Sequence, residues 1–137
     1  GQRLGDADYF DLSMSGLKTA LSLAVRASKD LDADRPHLAR GFQDAVIDVL
    51  VAKTLRAVEA TGRQRVVLGG GVACNAALRA ALAAALGREG ATLHAPSPRL
   101  ATDNAAMIAR AGLWHAAEAG GEVDAAARLP FPGLDRP

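Results

Sequence analysis

Residues Arg65–Asn75, RVVLGGGVACN, decide how this chain is read. A short apolar run, Val66 to Leu68, enters Gly69, Gly70 and Gly71, and a helix opens near Asn75. That order gives a strand, a turn whose backbone N–H groups can approach an anion, and a helix N-terminus that adds a favourable dipole. Further along, Ala101–Ile108, ATDNAAMI, opens a second helix with Thr102, Asp103 and Asn104 in succession. A carboxylate there suits a cation that bridges to an anion on the first turn. Two such turns in one short chain point to a nucleotide or acyl-phosphate site.

Working outward, hydrophobic period and punctuation predict alternating elements. Tyr9–Met14 alternates apolar and polar residues and reads as a short strand, followed by a helix over Leu17–Ser28. Lys29–Pro36 is polar and ends in proline, so it reads as a loop. From His37 to Ala60, Leu38, Phe42, Ala45, Val49 and Ala52 recur at helical spacing, predicting a long helix with one thoroughly buried face. Gly62 stops it as a C′ glycine would. Arg65–Leu68 reads as a buried strand, Asn75–Gly87 as an alanine-rich helix, and Ala91–Ala95 as a second strand. Pro96–Leu100 is a loop, Thr102–Ala119 the last helix, and residues 120–137 an irregular tail. The fold class is therefore α/β, with the strands at Val66 and Thr92 parallel and residues 1–119 forming one lobe.

Composition narrows the classes. The 137 residues suffice for one domain with a core, and aromatic residues are scarce, which favours tightly packed helices over a sandwich. A net charge of +1 gives no field-wide attraction to nucleic acid, so any RNA contact is local. The single cysteine, Cys74, excludes an internal disulfide and a Cys-based zinc site, and fits a reducing cytoplasm. No segment carries the apolar length of a membrane span.

Each candidate also has a plainer role. Three glycines serve a tight turn of positive φ. Asn75 is an N-cap, and Asp103 a first-turn carboxylate behind a Thr102 cap. Lys18 and Arg79 could reach phosphate or RNA, but lone basic residues on helices are usually just solvated. Cys74, with no partner base, reads as a small buried hydrophobe rather than a nucleophile, and Trp114 as core. His37, His94 and His115 are surface or core histidines, without metal-ligand spacing.

Phe10–Thr19, FDLSMSGLKT, Gly70–Asn75, GGVACN, and Thr102–Ile108, TDNAAMI, resemble the universal tRNA threonylcarbamoyladenosine transferase family in order and spacing. The resemblance covers nearly everything before the tail, and the three motifs together are specific. It implies a lobe of an actin-like fold shared with Hsp70 and sugar kinases. It also implies acyl transfer from threonylcarbamoyl-adenylate to the exocyclic amine of adenosine 37 in tRNAs reading codons that begin with A. Family members are over twice as long, and an N-terminal lobe carries two metal-binding histidines that this chain does not match. The chain is thus read as a C-terminal lobe, inactive alone, working with the parent's N-terminal lobe and accessory proteins of the modification complex.

The resemblance makes Asp103 a ligand of one divalent metal, iron first, with zinc or magnesium as alternatives. It places Asn75, Gly70 and Gly71 against threonylcarbamoyl-adenylate or ATP. Cys74 and Ala101 depart from the family's usual small residue and cysteine, and neither change removes a ligand. The general base is not identified. Two other readings stay open: an actin-like kinase of small molecules, and a non-catalytic interaction module derived from this lobe.

Overall fold

The structure, a computed structural model, describes residues 10–115. The chain divides into two compact units between Thr102 and Asp103. In the first, α1 (Ser15–Ala27) and α2 (Leu31–Thr61) precede a βαβ unit of β1 (Arg65–Val67), a 3-10 turn (Gly71–Cys74), α3 (Ala76–Arg88) and β2 (Thr92–His94). A single helical turn, α4 (Pro98–Ala101), follows. The second unit contributes α5 (Ala105–Trp114). The expected α/β class holds in this form: mostly helices, with a small parallel sheet. Among the described residues no helix is long and apolar enough to cross a membrane.

The two strands pair in parallel, Val66 opposite Leu93, as the sequence predicts. The ladder continues at both ends, with Thr92 N–H donating to Gln64 O and Leu68 N–H to His94 O, each at 2.8 Å. The expectation of a buried first strand is corrected. Val66 and Leu68 turn inward, whereas Val67, on the other face, is 79 % exposed. A strand's alternate side chains face opposite ways, and among the described residues only one face of this sheet meets a helix layer.

The core lies where α2, α3 and that inner face meet. Ile47, Leu78 and Leu82 form its centre, with Leu50, Val51, Leu68 and Leu93 packed around it. Leu86, near the C-terminal end of α3, is wholly buried. Leu86→Ala in the intact protein is expected to cost about 2–4 kcal/mol, read as a lower denaturant midpoint, because the rigid surroundings collapse incompletely on the cavity. An unchanged midpoint would show that this core does not hold the protein together.

Several boundaries differ from those expected, each for a local reason. Residues 11–14 form no strand, since among the described residues no backbone offers them a ladder; Tyr9 lies outside the described residues. The predicted loop Lys29–Pro36 is largely the start of α2. Asp30 caps it, its side chain accepting from Ala33 N–H at 3.1 Å, while Asp32 and Asp34 sit where the helix dipole favours anions. Pro36 is tolerated in the second turn because its missing N–H orphans only the Asp32 carbonyl, at an exposed helix end. Farther along, α2 is not thoroughly buried on one face. Its apolar residues pack on α1 and on α3, so most are half-buried, Ile47 alone of them is fully buried, and Ala52 is exposed.

Gly62, at φ 64°, ends α2 as expected, its N–H bonded to Val58 O. The predicted stop at Gly87 is corrected. α3 runs on to Arg88 and ends at Gly90, φ 68°, where Ala91 N–H returns to Leu86 O and Gly90 N–H to Gly87 O. That pair of bonds is the Schellman closure of a helix. Beyond β2, the predicted loop holds the α4 turn, with Pro98 first, where its lack of an N–H costs nothing. The last helix starts at Ala105, not Thr102, because Asn104 is its cap, accepting from Met107 N–H at 2.9 Å. Trp114 is 77 % exposed and not core; Met107, Ile108 and Leu113 are exposed on the same helix. The end of that helix and the predicted tail, residues 116–137, lie outside the described residues.

Candidate functional site

Gly70, Gly71 and Asn75 fall together at the joint between β1 and α3. Gly70 has φ 80° and ψ 172°, a region that is essentially glycine's alone. The conformational reading of the glycines therefore accounts for Gly70 and no other of the three. Neither Gly69 nor Gly71 has a positive φ. A Cβ on Gly69 would meet nothing within 4 Å, and one on Gly71 only Thr102 Cγ2 at 3.9 Å, an ordinary contact. No strain or crowding within this chain's described residues requires glycine at either place.

After the 3-10 turn, Asn75 caps α3. Its Oδ1 accepts from Leu78 N–H at 3.0 Å, as the cap reading expects. With Oδ1 so fixed, Nδ2 is the donor, and it donates to Gln43 Oε1 on α2 at 3.1 Å. One side chain thus starts α3 and ties it to α2. Ala76 and Ala77, the first two residues of α3, are exposed, and their N–H groups have no acceptor within the helix. Beside Asn75 lies a hollow with apolar walls from Phe42, Val46, Leu50 and Val72.

Two residues given plain roles by the sequence behave otherwise. Arg79 is half-buried, not a solvated base: Nε donates to the Ala73 carbonyl and an Nη to Pro96 O at 2.6 Å. Cys74, expected to be buried, is exposed, with Sγ 3.5 Å from Pro98 O. Gln43 and the inward bonding of Arg79 are what sequence reasoning misses at the site. Their partners lie far along the chain, so no local pattern marks them.

Asp103 opens the second unit, between the end of α4 and the Asn104 cap. It is exposed, it is not the first-turn carboxylate of a helix, and among the described residues it makes no hydrogen bond or ion pair. Lys18, His37 and His94 are exposed too. No group of three His, Cys, Asp or Glu residues that could hold a metal occurs among the described residues. A metal at Asp103 would therefore draw its other ligands from outside the described residues.

A strand, a glycine turn and a capped helix, closed by a second parallel strand, define an α/β module built around a backbone-lined turn. The model of one family, tRNA N6-adenosine threonylcarbamoyltransferase, matches residues 2–110. The chain belongs to that family. It is 54 % identical over 135 residues to the tRNA N6-adenosine threonylcarbamoyltransferase of Gemmatimonas aurantiaca, covering 94 % of this chain and 38 % of the relative. Relatives of the same name from Burkholderia thailandensis and Aromatoleum aromaticum are 50 % and 47 % identical over 115 and 130 residues. These matches cover 79 % and 93 % of this chain, and 32 % and 37 % of the relatives. The chain thus spans about a third of the length of the curated relatives it matches.

Proposed function

We propose that this chain is part of a cytoplasmic transferase that moves a threonylcarbamoyl group from threonylcarbamoyl-adenylate to the N6 amine of adenosine 37 of tRNA. In this reading it is the C-terminal lobe of an actin-like fold, completed by an N-terminal lobe and assisted by accessory proteins. The observation that carries the reading is the pair of glycines without an internal cause. Among the described residues a Cβ at Gly69 would meet nothing within 4 Å and one at Gly71 only an ordinary contact with Thr102, so the absence of a side chain is best explained by something that approaches the backbone from outside. An adenylate does so, its phosphate taking N–H donors from the turn and the start of α3.

The chemistry follows from these parts. The amine attacks the carbamoyl carbon, the bond from that carbon to the phosphate oxygen breaks, AMP leaves with the electron pair, and the proton the amine sheds passes to solvent. Negative charge grows on the departing phosphate, and the N–H groups of Ala76 and Ala77, without acceptors in the first turn of α3, would meet such charge without reorganising. Asn75 sets where those groups point, because its cap fixes the first turn of α3. Asp103 would hold a divalent metal, iron by the family resemblance, together with ligands from outside this chain. Such an ion supplies charge neutralisation and carbonyl polarisation.

Gly71→Ala in the intact protein tests the reading. The position has no positive φ and room for a Cβ, so thermal stability is expected to stay within about 1 kcal/mol of native. Affinity for a non-hydrolysable threonylcarbamoyl-adenylate analogue, read by calorimetry, is expected to fall at least about 30-fold, the scale of one displaced backbone contact. Native affinity in a folded variant would remove the turn from the site.

A further inference from the structure

The placement of Arg79 is odd on elementary grounds. It is the fourth residue of α3, at the helix end where the dipole disfavours a cation, on a helix whose first turn holds no compensating acid. Its guanidinium nevertheless turns back past the helix start. Nε donates to the carbonyl of Ala73, within the 3-10 turn and two residues before Asn75. An Nη donates to the carbonyl of Pro96, in the link between β2 and α4. These acceptors belong to the segments that leave the two parallel strands, and loop carbonyls of this kind need partners when water is kept from them. A planar fork with donors on two edges serves both at once, which a lysine ammonium, a single point on a flexible stem, does not reproduce. α4 packs on the same 3-10 turn, and the Cys74 Sγ contact to Pro98 O joins the same two segments again.

We propose that Arg79 is a positioning residue. By bonding Ala73 O and Pro96 O together it holds the glycine turn and the β2–α4 link in one geometry, so that the turn meets its adenylate preformed. The proposal rests on the reading of that turn as the adenylate site. Arg79 touches no ligand in this scheme; it acts through backbone that does. Removing it leaves two carbonyls without their donor and lets two segments move independently, so the ligand must order them on binding and affinity falls.

Arg79→Ala and Arg79→Lys in the intact protein, with Asn75→Asp run beside them, make the test. Hydrogen exchange by mass spectrometry reads peptides covering 71–75, where the Ala73 and Asn75 N–H groups are bonded, and 97–101, where Leu100 N–H donates to Ser97 O at 2.9 Å. In Arg79→Ala both are expected to exchange about tenfold faster, while peptides from the middle of α2 stay native. KM for threonylcarbamoyl-adenylate is expected to rise about tenfold with kcat within about threefold of native, and Arg79→Lys is expected to recover part of both effects. Should Arg79→Ala fail to fold, Arg79→Lys carries the same two readouts. Native exchange in either segment overturns the proposal, because the segments are then not held by this side chain. Faster exchange with native KM also overturns it, leaving a brace without a role at the turn. Failure of the adenylate reading has a different signature: Asn75→Asp keeps native adenylate affinity while both segments loosen in Arg79→Ala.

Discussion

Asp103→Ala in the intact protein is expected to reduce tRNA modification about a thousandfold or more while leaving the fold unchanged. The two halves of that expectation have separate grounds. Structurally the side chain does nothing that can be seen: it is exposed, Asn104 caps α5 in its place, and among the described residues it bonds to nothing. Its removal is therefore expected to shift the melting temperature by less than the few degrees that about 1 kcal/mol brings in a domain of this size. Functionally, a carboxylate with no structural duty next to a helix cap is what a shared metal site would need from this chain. Loss of a metal that contributes about 4 kcal/mol to the transition state corresponds to roughly a thousandfold in rate. The measurement is nucleoside mass spectrometry of tRNA from cells carrying the variant, with metal content of the purified protein in parallel. Native modification with a native metal content would take Asp103 out of the site, and native stability would rule out misfolding as the cause of any loss.

The features legible in the sequence are those set by neighbours along the chain. Gly70 at positive φ, Asn75 as a cap and Gly62 as a helix stop are local demands, each met by a residue whose chemistry announces it. The parallel pairing of β1 and β2 follows as soon as a helix is placed between two short strands. Sequence and structure part where one punctuation residue carries too much weight. Pro36 looks like the end of a loop, although Asp30, six residues earlier, has already begun the helix. Gly87 looks like a stop, although a helix closes on the glycine that takes positive φ, and that glycine is Gly90.

The contacts around the candidate site are illegible for another reason. Arg79 to Pro96 and Asn75 to Gln43 join residues from different elements, and no spacing rule within a helix or turn specifies either. Both contacts also show why single-residue readings mislead. Arg79 looks like solvent-facing charge until the loop carbonyls are seen, and Asn75 looks like a cap alone until its second amide atom is followed to α2. The long α2 helix has a related lesson. Its apolar residues serve two neighbours, so a search for one buried stripe finds its spacing but misjudges its burial.

Asn75→Asp is expected to separate the two duties of that residue, and with them stability from binding. Aspartate caps a helix as well as asparagine does, so the bond to Leu78 N–H survives and the stability of the intact protein is expected to stay within about 0.5 kcal/mol of native. The Gln43 contact also survives, because the Gln43 amide can turn its NH2 toward the new carboxylate. What is lost is a donor at the turn, replaced by a negative charge where a phosphate is expected. Asn75→Ala gives the complementary result: it removes the cap and the tie to α2, and is expected to cost about 1–2 kcal/mol of stability. It adds no repulsion, so its affinity loss is the smaller. Adenylate affinity is therefore expected to fall about 100-fold or more in Asn75→Asp and about tenfold in Asn75→Ala, whereas stability ranks them in the opposite order. Calorimetric binding of a threonylcarbamoyl-adenylate analogue beside denaturant unfolding of both variants reads this crossing. If affinity instead follows stability, with Asn75→Ala the weaker binder, Asn75 is a cap whose effect on ligand comes only through the helix it starts. The crossed ranking is the result that a residue facing the phosphate produces and a cap alone does not.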